Sequence, residues 1–296
     1  MLHCAVSDED RWLCYLPEKF SYLPIVAPGE TGYTTEMSSP CILVTGSAGR
    51  IGRAVVSALV ARGHNVRGFD RVPTPGLEPG AAIVGELGDP LALQQAADGV
   101  HCLIHLAAAP DDARFPRGQA PDDGDNFESE LVPSNILGAY HLMETARKLS
   151  IRRVILASTG QVIDGYLRDQ QTPVTVSLPP RPRYLYACTK VFLESLGQVY
   201  AYQHGLKVLV VRLGWCPRPG QIEEIQASRI GQDVYLSPGD AGRFFTAAVE
   251  AGEFPTFAVV YACSHFTHNL AYDLGPAERL LGYVPQDRWP IGAEEF

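Results

Sequence analysis

The chain has no run of uncharged apolar residues long enough to span a bilayer, although apolar residues fill 46% of its 296 positions. A membrane-crossing helix needs about 20 in a row. A basic face is missing too. Lysine and arginine total 24 against 33 aspartates and glutamates, for a net charge of −9, and no Lys/Arg cluster breaks the excess. Nucleic acid and anionic membrane surfaces both select for such a cluster, so neither is an expected partner. The stretch from Met1 to Arg11 carries Asp8, Glu9 and Asp10 where a secretory signal would have a basic start and an apolar core, which points to a cytoplasmic protein. The seven cysteines (Cys4, Cys14, Cys41, Cys102, Cys188, Cys216 and Cys263) include no C-x-x-C pair. Reduced thiols are expected, and neither a disulfide framework nor a zinc site. His265-x-x-His268 has no third ligand beside it, so no metal is expected there.

What is present is an alternation of short apolar runs with amphipathic stretches. Residues 1–39 show no period and read as an extension outside the fold. From Cys41 the runs Cys41 to Val44, Val66 to Asp70, Ala81 to Val84, Cys102 to Leu106, Val154 to Ala157 and Val208 to Val211 read as strands. Helical patterns fall between them, including a long one from Phe127 to Leu149 and another from Tyr186 to His204. This order predicts an α/β fold, a Rossmann-type doubly wound parallel sheet, over residues 40–214. After Gly214 prolines and glycines loosen the rhythm. A helix over Ala241 to Ala251, a strand over Ala258 to Tyr261 and a last helix over Leu274 to Leu281 suggest a small substrate-binding region, 215–296, that partly returns to the sheet. The acidic stretch Pro110 to Asn126 is either a lid or a flexible loop.

Thr45-Gly46-Ser47-Ala48-Gly49-Arg50-Ile51-Gly52 joins the first strand to its helix. Glycines there let backbone N–H groups approach a pyrophosphate, and the helix N-terminus adds partial positive charge. A dinucleotide cofactor is therefore expected. Asp70 ends the second strand, where a carboxylate meets the adenosine ribose hydroxyls and repels the extra phosphate of NADP. NAD is favoured, with Arg50 and Arg71 as the side chains that would pair with that phosphate if NADP were used.

Tyr186-Ala187-Cys188-Thr189-Lys190 opens a helix, and residues four apart share a helical face. A phenol titrates near 10, and a cation beside it favours the phenolate. Tyr186 is then a base for an alcohol proton, with Lys190 as its cation. Ser158 and Thr159 directly follow the fifth strand, at the sheet edge where ligands collect. One hydroxyl orients the substrate oxygen and the other supports the turn. His105, within an apolar run, reads as a packed structural histidine.

With these features in place, the chain resembles an extended short-chain dehydrogenase/reductase of the NAD-dependent epimerase/dehydratase type, over about Cys41 to Pro290. The matching pieces are T-G-S-A-G-R-I-G, Asp70, Glu86-Leu87, His105-Leu106-Ala107-Ala108, Asn135-Ile136-Leu137-Gly138, Ser158-Thr159 and Y-A-C-T-K. The resemblance implies that Glu86 and Leu87 contact adenine and that Leu106, Ala107, Ala108 and Asn135 line the cofactor. It also implies that Thr159, three residues before Val162, is the catalytic hydroxyl, and that Lys190 holds the nicotinamide ribose. Ala139, Leu142, Met143 and Ala146 on one helix and Phe192, Leu196 and Val199 on another suit packing within the chain, and the resemblance also implies a homodimer through such helices. The tail is similar to that of uronate dehydrogenases, with departures: Thr159-Gly160-Gln161 replaces their Ser-Asn-His, Trp215 stands where they have serine, and Glu223 or Glu224 stands where an arginine would clamp a carboxylate. Gln161 and Trp215 are thus substrate candidates, together with Ser158, for an oxidoreductase acting on a sugar-like or sugar-acid hydroxyl. The competing expectations are a nucleotide-sugar epimerase or dehydratase with tightly bound NAD, and a non-catalytic dinucleotide-sensing protein.

Overall fold

The computed structural model describes residues 40–110, 126–252 and 255–295. The chain divides into two units, Met1–Met37 and Ser38–Phe296, and everything described belongs to the second. Residues 1–39 and most of the stretch Pro110 to Asn126 lie outside the described residues.

In chain order the elements are β1 (Cys41–Thr45), α1 (Arg50–Ala61), β2 (Asn65–Asp70), β3 (Ala82–Val84), α2 (Pro90–Ala97) and β4 (Val100–His105). A π-helix (Phe127–Leu137) then leads into α3 (Gly138–Lys148), followed by β5 (Arg153–Thr159), α4 (Asp164–Arg168), α5 (Leu185–His204) and β6 (Lys207–Leu213). The remainder comprises α6 (Ile222–Gln226), α7 (Arg229–Asp233), α8 (Pro238–Glu250), β7 (Phe257–Ala262) and α9 (Gly275–Leu281). The sheet order is β3-β2-β1-β4-β5-β6-β7, and every pairing is parallel. This is the expected Rossmann-type doubly wound sheet.

Parallel strands covered on both faces must be apolar on both. In β1, Ile42 and Val44 pack with Val55, Val56 and Leu59 of α1 and Phe244 and Phe245 of α8. Cys41 and Leu43 face the opposite layer, with Leu142 and Met143 of α3 and Leu193 of α5. The strand pleat turns successive side chains to opposite faces, so one five-residue strand feeds both cores. Strand order reverses between β1 and β4, which opens a crevice beyond the strand ends.

Two elements differ from their sequence patterns. The single helix expected from Phe127 to Leu149 is a π-helix that continues as α3. Leu131 N–H donates to Asn126 O, and Gly138 N–H to Pro133 O, each five residues back. Pro133 lies inside this stretch and has no N–H to donate, so the helical ladder is interrupted there. In addition, β5 runs two residues further than its apolar core, so Ser158 and Thr159 lie within the strand. Among the described residues no helix is long and apolar enough to cross a membrane, and no group of three or more His, Cys, Asp or Glu is placed to hold a metal.

Candidate active site

The turn after β1 is built from close backbone approaches. Gly46 has φ +73°, and a Cβ there would lie 2.5 Å from Ala107 N. A Cβ on Gly52 would lie 2.0 Å from Gly46 O. The loop therefore folds tightly against the end of β4 and leaves exposed Gly49 at the start of α1. A turn of this shape, with a helix N-terminus behind it, fits a phosphate. Asp70 accepts from Ala48 N–H at 3.0 Å and Arg71 N–H at 2.7 Å, which places its carboxylate beside the cradle. Arg71 is exposed. Arg50 opens α1 and lines the cavity described below. Its guanidinium donates to Cys216 O at 2.9 Å and to Pro217 O, tying the cofactor helix to the segment after β6. Leu106, Ala107 and Ala108 extend from β4 and are half-buried, Leu87 is buried, and Glu86 is exposed. The buried Asn135 side chain exchanges two hydrogen bonds with Ala109, accepting from its N–H at 2.8 Å and donating to its O at 2.9 Å. Asn135 therefore shapes the segment that follows Ala108. These residues fit a dinucleotide: a glycine cradle, an acid at the end of β2, and an apolar wall along β4.

The catalytic candidates come together around a cavity of about 510 Å³, lined by Tyr186, Thr159, Ser158, Gln161, Ile51 and Trp215 among others. Lys190 Nζ lies 5.7 Å from the centre of the Tyr186 ring and donates to Ala157 O at 2.9 Å. Burial lowers the Lys190 ammonium to about 8, because a charge in a dry site loses its hydration. His105 sits behind it, sharing a 2.8 Å hydrogen bond with Thr45 Oγ1. Burial and then the Lys190 charge lower His105 to about 3, so it is a neutral packing residue.

The two β5 hydroxyls part company. Ser158 Oγ donates to Glu194 at 2.6 Å, while Thr159 Oγ1 accepts from Gln161 N–H at 3.2 Å. Trp215 Nε1 donates to Gln221 at 3.4 Å, which holds the indole at the cavity wall. Glu223 and Glu224 are exposed on α6, and Glu224 lines the cavity. Arg218, Asp164 and Tyr272 also line it; of these the sequence offered only Arg218, with Arg229 as its alternative, as an arginine able to fold into the site in place of the missing carboxylate clamp, and Asp164 and Tyr272 were not foreseen. Arg218 carried a signal, lying three residues after Trp215. Tyr272 carried none. It is brought in by stacking on Tyr261, ring centres 4.5 Å apart, and its hydroxyl occupies the space where Gly160 lacks a Cβ. His268 pairs with Gln232 at 2.8 Å, and His265 is exposed away from the cavity lining.

The sequence model of the NAD dependent epimerase/dehydratase family matches residues 42–217. An L-arabinose 1-dehydrogenase (NAD(P)(+)) of Haloferax volcanii is 33% identical over 261 residues, 83% of this chain and 96% of the relative. A uronate dehydrogenase of Pseudomonas putida is 26% identical over 249 residues, 83% of this chain and 84% of the relative. Among solved structures, the glucuronic acid dehydrogenase of Chromohalobacter salexigens superposes with a TM-score of 0.69 at 30% identity, covering 86% of this chain and 88% of that one. Family match, sheet order and cofactor cradle agree: the chain belongs to the NAD dependent epimerase/dehydratase family and is an NAD-dependent oxidoreductase.

Proposed function

We propose that the protein oxidises the hydroxyl of a free sugar, with a neutral ring preferred over a sugar acid. The observation that carries this is the single cavity wall shared by Tyr186, Thr159 and Trp215. NAD, when bound along the cradle, supplies the hydride acceptor. Tyr186 Oη takes the proton of the reacting hydroxyl, and the Lys190 cation favours the ionised form of that oxygen. Thr159 Oγ1 orients the substrate oxygen. Lys190 and the Leu106–Ala108 wall hold the nicotinamide end, and Asp70, Glu86 and Leu87 the adenosine end. Trp215 offers an aromatic face to the C–H side of a ring, and Gln161 offers amide hydrogen bonds to ring hydroxyls.

Charge in the cavity supports a neutral ring. Arg50 and Arg218 line it, but the carboxylates Asp164 and Glu224 line it too and balance them, and Arg50 donates to the carbonyls of Cys216 and Pro217. Similarity to an L-arabinose 1-dehydrogenase supports the same reading. Residues 40–214 then serve as the dinucleotide-binding domain and 215–296 as the substrate-binding region, in a cytoplasmic homodimer. The test is NAD reduction with neutral aldoses, uronates and a nucleotide-sugar, run beside the Tyr186→Phe variant. The variant should lose more than about 99% of turnover while binding NAD within about twofold of the parent, since only the titrating oxygen is removed. A higher kcat/KM for uronates than for every neutral sugar rejects the substrate assignment, and an active Tyr186→Phe variant rejects the base.

A further inference from the structure

Glu194 stands four residues after Lys190 and eight after Tyr186, so all three share one face of α5. Its carboxylate is buried and fully engaged. Oε1 accepts from Ser158 Oγ at 2.6 Å and from Arg212 Nε at 3.0 Å, and Oε2 accepts from Arg212 Nη2 at 2.8 Å. Arg212 sits on β6 in register with Ser158 on β5 and with Tyr261 on β7. Its Nη1 donates to Tyr261 Oη at 3.2 Å. Ser158, Arg212 and Tyr261 are 3%, 3% and 0% exposed. Such a pair is expensive to bury, and apolar residues of similar size would stabilise the core as well or better. What it does provide is directional geometry. Lys190 binds the carbonyl of Ala157 and Glu194 binds the hydroxyl of the very next residue.

We propose that Glu194 is a positioning residue. With Ser158 and Arg212 it fixes the rotation and register of α5 on β5 and β6, so that Tyr186 and Lys190 meet the substrate hydroxyl. Ser158 is thereby withdrawn from the substrate, and Thr159 is left as the orienting hydroxyl. This rests on the assignment of Tyr186 and Lys190 above.

The experiment measures kcat, sugar KM and NAD affinity of the full-length chain for Glu194→Gln, Glu194→Asp, Ser158→Ala and Thr159→Val, and for Glu194→Gln combined with each of the last two. Glu194→Gln should lower kcat about tenfold or more with sugar KM and NAD affinity within about twofold, and Glu194→Asp should recover part of the loss. Ser158→Ala should cost less than about twofold further in the Glu194→Gln background, because both act through one contact, whereas Thr159→Val should multiply the loss by its own factor. If Glu194→Gln does not fold, Ser158→Ala against Thr159→Val still decides, the proposal requiring the threonine variant to be the slower by about tenfold or more. A Ser158→Ala loss as large in the Glu194→Gln background as in the parent overturns the proposal, as does a change in KM alone. Failure of the underlying assignment looks different: Tyr186→Phe would then remain active.

Discussion

At the residue scale, two buried or half-buried groups carry measurable consequences. Asp70, the residue proposed to meet the adenosine ribose, accepts two backbone N–H groups at the end of β2. NAD should therefore be used with a higher kcat/KM than NADP. Asp70→Ala should narrow that preference about tenfold, roughly 1.4 kcal/mol, while weakening NAD itself through the loosened Ala48 loop. Parallel kinetics with both cofactors check this, and an unchanged ratio rejects it. His105 makes a statement about stability. In the fold it stays neutral down to about pH 3, against an ordinary value of 6.5. Below pH 6.5 the unfolded chain binds a proton that the folded chain refuses, so stability falls as pH falls. Glu144, held down to about 2 first by its hydrogen bond from Arg147, adds a same-signed loss only below its ordinary 4.5. Between pH 6.5 and 4.5 the slope belongs to His105, about 1.4 kcal/mol per pH unit. Urea unfolding across that window should show the slope in the parent and a flat response in His105→Gln.

At the element scale, the π-helix is a working joint. Its Asn135 side chain holds both polar groups of the Ala109 backbone and reaches Thr189 Oγ1 of α5 at 3.3 Å. It thereby links the segment after β4, the proposed cofactor wall, to α5, which carries Tyr186 and Lys190. Asn135→Ala leaves the two Ala109 groups without these partners, at about 1 kcal/mol each. The NAD KM should rise about tenfold, with a smaller change in kcat, and a KM within about twofold of the parent would show that Ala109 is held by other means. The glycine turn and the Y-x-x-x-K spacing were legible because each is a local rule: a turn needs residues without Cβ, and a helix repeats every fourth residue. The change of pitch at Pro133 was not, because an apolar repeat every three or four residues looks the same through a π-helical stretch. Nor was the fate of Ser158. Its neighbour on α5, Glu194, is 36 positions away, and only the pleat of β5 decides which of two adjacent hydroxyls meets it.

At the scale of the whole molecule, Ala139, Leu142, Met143 and Ala146 of α3, which suited either packing within the chain or a dimer, are each 0% exposed within the core of the chain. Another set faces outward. Leu137 and Tyr140 are 50% and 46% exposed on the π-helix and α3, and Leu185, Val199 and Tyr202 are 45%, 45% and 67% exposed on α5, which packs beside α3. The homodimer proposed above should use this outward set, of which Val199 alone was among the residues named from the sequence. Light scattering should find two copies in the parent and one in Val199→Glu combined with Tyr202→Glu, with unchanged circular dichroism. A monomeric parent rejects it. The sequence by itself determined the parallel α/β architecture, the cofactor turn and the spacing of Tyr186 and Lys190, because periodicity and short motifs act within a few residues of chain. Only the tertiary structure decided that Arg50 reaches the carbonyls of Cys216 and Pro217, that Tyr272 walls the cavity and Arg218 rather than Arg229 lines it, and that Ser158 belongs to Glu194. Those outcomes depend on which side chains β5, β6 and the last eighty or so residues bring within hydrogen-bonding reach, and a contact across more than thirty positions leaves no periodic trace in the sequence.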